Sequence, residues 1–392
     1  HFAFSYPVIV RVMVGALEGY KEVYETAART LGASAFTAVR TVSMPLLKPA
    51  LIAAFLLAFA RSLSETGATV MVAGAFENGP VFIRNARLAG LESPLLFVSF
   101  VLIIASSLFF VGIRIFAPKA RLPISAVRPK LEKRLSSRTA VDLRNLITFF
   151  IFVLIVIVPS LFVVFPSVGA FSDGTLQAAV AGTGIWSTYW QSVGLSYSIA
   201  LAATGLNIAA GLPVSVLIAR RRGGQVVSGI FDTLVNIPIV VPSIALGVSI
   251  GMFWGGLTQI PEFWLLVFAH SSITYTYFVR SMIASIESIP TEVEDVARTL
   301  GGKPLTVFRR LTMPLSKYAL LAGAIMAFTR SVDETGATLA VAKKLTTAPV
   351  LMVDWVRGTV PASSSAIGLG LGILVLTSFV SLLVLTVATR RM

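Results

Sequence analysis

The sequence contains no cysteine and few charged residues for its length. Only 13% of its 392 residues are Asp, Glu, Lys or Arg, against about 25% in soluble domains. The missing thiols exclude disulfides and thiolate metal sites. The shortage of charge, with 56% hydrophobic residues, excludes a water-soluble surface of ordinary size. The composition therefore indicates a multi-pass membrane protein.

Acidic residues are scarcer than basic ones, 18 against 32, which gives a formal net charge of +14. The Lys and Arg residues fall mainly in short segments between apolar runs. That distribution is typical of the cytoplasmic loops of membrane proteins and argues against nucleic acid as a partner. It predicts a plasma or inner membrane location, with the basic segment 117–145, Arg220-Arg221-Arg222 and the C-terminus in the cytoplasm.

One stretch of the chain occurs twice without a gap, at an offset of 269 residues. The two copies are residues 25–46 and 294–315. Each is followed by an apolar run that ends in Glu-Thr-Gly-Ala-Thr, at 65–69 and 334–338. A repeat this long, anchored on polar residues, predicts two copies of one structural unit.

Apolar runs long enough to cross a membrane, about 20 residues each, accompany both copies. We expect an all-α polytopic bundle of two pseudo-symmetric units, residues 1–116 and 146–392, joined by the basic linker 117–145. We also expect that the opening spans of the first unit are missing from this sequence, through truncation or a misplaced start. The predicted spans are 1–14 (the tail of one), 50–74, 93–116, 146–166, 191–218, 229–255, 263–284, 318–341 and 363–388. Pro238 and Pro242 predict that 229–255 is kinked or divided.

Residues 167–190 contain neither Lys nor Arg. This composition predicts a loop on the outer face. Its aromatic residues Trp186, Tyr189 and Trp190 are expected at the membrane interface, where amphipathic rings are enriched.

Each repeated polar loop is predicted to be a helix, a tight glycine turn and a second helix. Gly32 and Gly301 follow an amphipathic stretch, where a helix ends readily in a left-handed residue. Ser34 is a good N-cap for the next helix, and Pro304 a good first residue in the other copy. A solvated connector and a DNA-binding helix-turn-helix are alternatives. Repetition argues against the first, and the flanking spans argue against the second.

The two loops resemble a known motif. Their sequences E-T-A-A-R-T-L-G and E-D-V-A-R-T-L-G, each followed by Met-Pro-Leu, are similar to the EAA loop of binding-protein-dependent ABC importer permeases. Thr26, Asp295 and Val296 depart from the Glu-Ala-Ala core. The fused two-unit layout resembles ferric iron and thiamine permeases, and F-A-R-S-L-S-E-T-G-A-T resembles a segment of molybdate and sulfate permeases.

The resemblance implies that the loops are coupling helices that insert into two separate ATP-binding cassette ATPase subunits, which bind the ATP. It implies an extracytoplasmic solute-binding protein and a small solute: ferric iron, an inorganic oxyanion or thiamine. The coupling residues would be Glu25, Ala28, Arg29, Gly32, Pro45, Glu294, Ala297, Arg298, Gly301 and Pro314. Glu and Arg would either fix the loop internally or contact the partner. An ATP-independent secondary transporter with internal repeats is the alternative.

Arg and Glu occur four residues apart within one apolar run of each copy. Charges at membrane depth are costly unless they are paired or hydrated, and this spacing places both on one helix face. The pairs either line the translocation pathway or its gate, or brace the two units. The residues concerned are Arg61, Glu65, Thr66 and Gly67, and Arg330, Glu334, Thr335 and Gly336.

Sequence patterns of catalysis are missing. No Gly-rich loop precedes Lys-Ser or Lys-Thr, so we expect no nucleotide site in this chain. His1 and His270 have no further ligands at metal spacing, so we expect no metal site. With no nucleophile and base to pair, the chain is not expected to be an enzyme by itself.

Overall fold

The computed structural model describes four ranges of the chain, and all its regular secondary structure there is helical. The ranges are residues 1–116, 128–162, 164–257 and 259–390. The predicted all-α class is therefore confirmed for this part of the protein. Residues 117–127, the first part of the predicted linker, lie outside the described residues.

Twenty-four α-helices, besides short π-helical segments, occupy the described ranges. They begin with α1 (Phe2–Glu18), α2 (Val23–Thr30), α3 (Ala35–Ala38), α4 (Met44–Leu46), α5 (Lys48–Ser64), α6 (Gly67–Val72), α7 (Gly79–Leu88), α8 (Glu92–Phe116), α9 (Pro129–Leu135), α10 (Arg138–Phe152), α11 (Val158–Phe162) and α12 (Val164–Gly169). They continue with α13 (Thr175–Ala181), α14 (Ile185–Ala219), α15 (Gly224–Val240), α16 (Ser243–Leu257), α17 (Glu262–Ser288), α18 (Thr291–Thr299), α19 (Pro304–Val307), α20 (Met313–Leu315), α21 (Lys317–Val332), α22 (Gly336–Val341), α23 (Ala348–Val356) and α24 (Ser364–Arg390).

The chain forms two compact units whose boundaries differ from those of the repeat. The first unit comprises His1–Leu63 and Ala105–Val163, and the second comprises Ser64–Ile104 and Val164–Met392. The division of the sequence into repeat units and a linker stays a prediction.

Four helical segments of the described chain are long and apolar enough to cross a membrane. They are Glu92–Gly112, Arg138–Gly169, Ile185–Ala219 and Ser364–Val387. Four of the predicted spans fall within or largely overlap them.

Three further candidate spans are bent helix pairs. The run 229–255 is divided, as its prolines predicted, into α15 and α16 at an angle of 113°. The predicted spans 50–74 and 318–341 each contain a helix break, because α5 ends at Ser64 and α21 at Val332 and the short helices α6 and α22 follow. The predicted spans 1–14 and 263–284 lie within α1 and α17. Neither helix is among the described segments that are both long and apolar enough to cross a membrane.

The core of the second unit lies where α17 packs against α14 and α21. A Cβ atom at Gly211 on α14 would lie 2.7 Å from the Phe278 ring on α17, so only glycine permits this approach. Phe278, Val279, Met282 and Ile286 on α17 are all inaccessible to solvent. Burial on this scale fixes the helices that carry the second polar loop.

The predicted interfacial position of Trp186 and Tyr189 is wrong. Their side chains are 2% and 0% exposed, and the Tyr189 ring stacks on Trp355 with centroids 5.7 Å apart. The Tyr189 hydroxyl donates to the Gly370 carbonyl at 2.7 Å, so burial leaves its polar atom satisfied. The segment is also not one loop, because α13 and the start of α14 lie within it.

Candidate functional site

The second polar loop ends its first helix in a glycine-centred pair of hydrogen bonds. Gly301 has a φ of +85°. Its amide donates to the Arg298 carbonyl at 2.9 Å, and the Gly302 amide donates to the Ala297 carbonyl at 3.1 Å. This is the Schellman pattern, which satisfies carbonyls at the end of a helix and reverses the chain. The turn thereby ends α18 and changes the direction of the chain before α19 begins.

The first polar loop repeats this turn. Gly32 has a φ of +92°, and its amide donates to the Arg29 carbonyl at 3.0 Å. The Ala33 amide donates to the Ala28 carbonyl at 3.1 Å. The Ser34 hydroxyl then caps α3 by accepting from the Thr37 amide at 3.3 Å. The predicted helix, glycine turn and helix are thus confirmed in both copies.

A widened helical turn precedes each Met-Pro pair. Residues Val39–Ser43 and Phe308–Thr312 bond to the fifth residue back instead of the fourth. Pro45 and Pro314 come directly afterwards; proline lacks an amide hydrogen and crowds the preceding turn, which explains the widening. The chain then bends, by 72° in the first copy and 73° in the second, into α5 and α21.

Glu294 fixes the second loop from inside. Its carboxylate is 5% exposed and accepts from Arg220 Nε at 3.1 Å and Nη2 at 2.9 Å. The Thr312 hydroxyl donates to the same oxygen at 3.0 Å. Glu294 thereby joins α18 to the end of α14 and to the start of α20. Charge-assisted bonds of this kind are the stronger ones in proteins.

Glu25 makes the corresponding contact in the first loop, where it accepts from the Ser43 hydroxyl at 3.3 Å. Ser43 and Thr312 occupy matching repeat positions. Arg29 is exposed, and the Arg298 side chain is 42% exposed at 3.6 Å from Glu294. The glutamates therefore contact other parts of their own loops, whereas the arginine side chains are at least partly exposed to solvent.

We expect Arg220→Met to destabilise the second unit strongly. It removes the cation that donates two hydrogen bonds to buried Glu294 and leaves Arg298 at 3.6 Å from that carboxylate. Removal of one partner from a buried ion pair costs up to roughly 3–5 kcal/mol. Thermal unfolding of the purified protein measures the loss. Arg222→Met, at an exposed neighbour, is the control and should leave the midpoint unchanged. Equal midpoints for the two variants would contradict the assignment.

Both loops present a leucine to solvent beside the glycine turn. Leu31 is 89% exposed and its counterpart Leu300 is 83% exposed. A single exposed leucine has no special meaning. Leu31 and Leu300 occupy matching repeat positions, however, beside turns with the same hydrogen-bond pattern.

The Glu-Thr-Gly-Ala-Thr segments form helix breaks that lie in the second unit. Glu65 accepts from the Ala68 amide at 3.2 Å, and Glu334 from the Ala337 amide at 3.0 Å. Each glutamate thus caps the short helix that begins two residues later, α6 or α22. Glu334, 1% exposed, also pairs with Arg330 across 2.7 Å, as the spacing predicted for this copy.

The two segments meet in a reciprocal contact. A Cβ atom at Gly67 would lie 2.9 Å from the Thr335 hydroxyl, and a Cβ atom at Gly336 would lie 2.9 Å from the Thr66 hydroxyl. Threonine of each copy therefore packs on glycine of the other. Thr66 is 2% exposed and Thr335 is half-buried. Reciprocal contacts are what an approximate two-fold axis produces.

His270 anchors α17 to this junction. Its Nδ1 lies 2.9 Å from the Ser331 hydroxyl and its Nε2 2.8 Å from the Thr338 hydroxyl. In the first unit, Nδ1 of His1 lies 3.0 Å from the Ser62 hydroxyl, at matching repeat positions. Both histidines thus have hydroxyl partners. A matched hydroxyl at the 269-residue offset is the sequence signal that pairs Ser62 with Ser331.

A protein-family model provides the identification. The model for the inner membrane component of binding-protein-dependent transport systems matches residues 2–122 and 211–391, well over half of the chain. The chain belongs to this family. Each matched segment contains one of the two polar loops. As an inner membrane component with several apolar helices, the protein is a multi-pass membrane protein.

Individual relatives of this inner membrane component are 28–32% identical to it over the aligned residues. The molybdenum transport system permease protein ModB of Mycobacterium bovis is 32% identical over 157 residues, 37% of this chain and 59% of that protein. The molybdate/tungstate permease WtpB of Pyrococcus abyssi is 28% identical over 183 residues (45% and 72%). The putrescine permease PotI of Escherichia coli is 28% identical over 237 residues (54% and 81%). The chain thus spans 59% of the length of the first of these relatives.

Proposed function

We propose that the chain is the transmembrane permease subunit of an ATP-driven ABC importer. The observation that carries this proposal is the duplicated polar loop, which presents an exposed leucine on a rigid turn in both copies. A short helix pair fixed by caps and buried ion pairs is able to transmit force, because it moves as one body. Insertion of an apolar helical anchor into a partner's groove is a common recognition mode.

The two loops each receive one ATPase subunit in this proposal. ATP is bound and hydrolysed by those subunits, because this chain has no phosphate-binding loop in its sequence. The loops, linker and C-terminus are cytoplasmic, in line with their basic residues. A binding protein outside the cell membrane delivers the solute, consistent with the description of the family.

The solute is most simply an inorganic oxyanion of the molybdate class. Relatives with molybdenum or molybdate/tungstate in their names support this choice. Ferric iron and thiamine, implied by the fused layout, have no such support among these relatives. The putrescine permease among the relatives makes a polyamine the second candidate, because it matches the largest share of this chain of the three.

The Thr-Gly contact of the second unit is the gate in this mechanism. Thr66, Gly67, Thr335 and Gly336 pack too closely for a solute to pass. The buried Arg330–Glu334 pair lies next to them, as expected for charges retained at membrane depth for function. Arg61, the counterpart of Arg330, stays a prediction for the pathway.

Uptake by sealed vesicles tests the proposal. The intact protein is reconstituted with its ATPase and binding protein, and radiolabelled molybdate is offered with ATP inside the vesicle lumen or outside it, as orientation requires. We expect uptake that needs ATP hydrolysis, persists with collapsed proton and sodium gradients, and is competed by tungstate. Loss of uptake on gradient collapse would instead indicate a secondary transporter. Competition by putrescine and not by tungstate would overturn the oxyanion.

A further inference from the structure

The linker helix α9 is fastened to the first polar loop through Glu132. Its carboxylate accepts from the Thr37 hydroxyl at 2.5 Å and from Arg40 Nη2 at 2.6 Å. The Arg128 amide donates to it as well, at 3.2 Å. These contacts, led by the Thr37 hydroxyl, hold the pKa of Glu132 below its ordinary value. Glu132 is 4% exposed although it belongs to a short exposed helix.

A second fastening comes from Ser136, the residue that follows α9. Its hydroxyl accepts from the Phe36 amide at 2.9 Å and donates to the Ser34 hydroxyl at 3.1 Å. The amides of the first helical turn have no partner inside their own helix. Ser136, 100 residues further along the chain, therefore completes the cap of α3 that Ser34 begins.

The sequence of the linker supports a specific contact. Glu132 is the single acidic residue in residues 117–141, a segment otherwise rich in Lys and Arg. Burial of a carboxylate costs free energy unless the group is paired, so a surface helix without a specific partner would leave its one carboxylate in solvent. Burial of that group on a threonine and an arginine of the loop indicates a selected docking position.

The second loop is held differently. The counterparts of Thr37 and Arg40 are Thr306 and Arg309, and both are exposed. Pro304, the counterpart of Ala35, begins α19 and removes one amide from the first turn of that helix. Arg220, at the end of α14, fixes that loop through Glu294 instead. Beyond the matching Glu25–Ser43 and Glu294–Thr312 contacts, the two copies of the motif are therefore held by different partners.

We propose that Glu132 and Ser136 are positioning residues of the first coupling loop, and that α9 makes the two ATPase contacts of this chain non-equivalent. The inference rests on the proposed function. One loop is held by a linker helix that comes from outside the repeat, and its order depends on that linker. The other is held by buried arginine and is independent of it. Release of α9 loosens one ATPase contact and leaves the other.

Titration of the purified ATPase subunit onto the intact protein in nanodiscs tests the inference. The wild type is expected to bind two subunits. Glu132→Gln is expected to weaken one site by at least about tenfold, equivalent to about 1.4 kcal/mol, and to leave the other unchanged. Asp142→Asn, the same change at an exposed acid on α10, should alter neither site. Exchange of the partners, Glu132→Arg with Arg40→Glu, should recover part of the lost affinity.

The outcomes separate the two proposals. No binding of any ATPase subunit to the wild type would overturn both the coupling function and this inference. Two unchanged sites in Glu132→Gln would overturn the inference alone. Equal weakening of both sites would also overturn it, because the effect would not be confined to the first loop. Ser136→Ala, which removes only the added cap, is a milder second variant and should weaken the same single site.

Discussion

A Gly301→Val protein will retain its fold in the membrane and lose most of its ATP-driven uptake. Gly301 has a φ of +85°, a conformation in which a residue with a Cβ atom costs roughly 1–2 kcal/mol and a β-branched one more. No atom lies within 4 Å of the position of the added Cβ. The damage therefore comes from the backbone, which unwinds the Schellman turn and displaces Leu300. Gly32→Val should act alike in the first loop.

The measurement compares ATP hydrolysis with uptake in reconstituted vesicles. We expect uptake to fall roughly tenfold or more, in line with the backbone cost. Gly301→Asn is the matched control, because asparagine adopts the left-handed conformation more readily than other residues. It should keep most of the uptake. Normal uptake in Gly301→Val would refute the coupling role of the turn.

The helices and turns of the polar loops could be predicted because local chemistry determines them. Gly32, Gly301, Ser34 and Pro304 act on their own helix ends, within five residues along the chain. The same rules gave the break at Pro242. No alternative packing in the described structure competes with these local preferences.

Long-range partners could not be predicted in the same way. Arg220 is 74 residues from Glu294 in the sequence, and Glu132 is 95 residues from Thr37. Lys and Arg are enriched in cytoplasmic loops whether or not they have a specific partner. The presence of Arg220 in such a segment therefore does not reveal that it binds Glu294. Trp186 and Tyr189 were misplaced for a related reason: amphipathic rings suit both an interface and a core with one carbonyl acceptor. Tertiary packing made the choice.

The repeat carried information beyond its motif. Matched hydroxyls at Ser43 and Thr312 contact the loop glutamates, and matched threonines and glycines meet at the junction. These pairs were present in the alignment of the two copies. Side-chain chemistry shared at the 269-residue offset, and not only identity, is therefore a sequence signal for these contacts.

Single and double variants of Arg330 and Glu334 are expected to distinguish a bracing role of this pair from a gating role. Glu334→Gln keeps an oxygen to cap α22 but leaves Arg330 buried without its anion, which costs roughly 3–5 kcal/mol. Arg330→Met leaves the carboxylate unpaired at similar cost. The double variant Arg330→Met with Glu334→Gln contains neither charge, and a buried pair replaced by neutral groups is often neutral in stability. We therefore expect both single variants to unfold at lower temperature and the double variant to recover.

Uptake then decides the role of the pair. We expect the double variant to be folded and nearly inactive, because charges at membrane depth are costly and are retained chiefly where they act. The exposed pair of Arg298 with Asp295, at 3.1 Å, is the control for stability, with a coupling energy of about 0–1 kcal/mol. A double variant with full uptake would reduce Arg330 and Glu334 to a brace. A double variant without uptake, folded and with ATPase bound, would assign Arg330 and Glu334 a role in translocation beyond bracing.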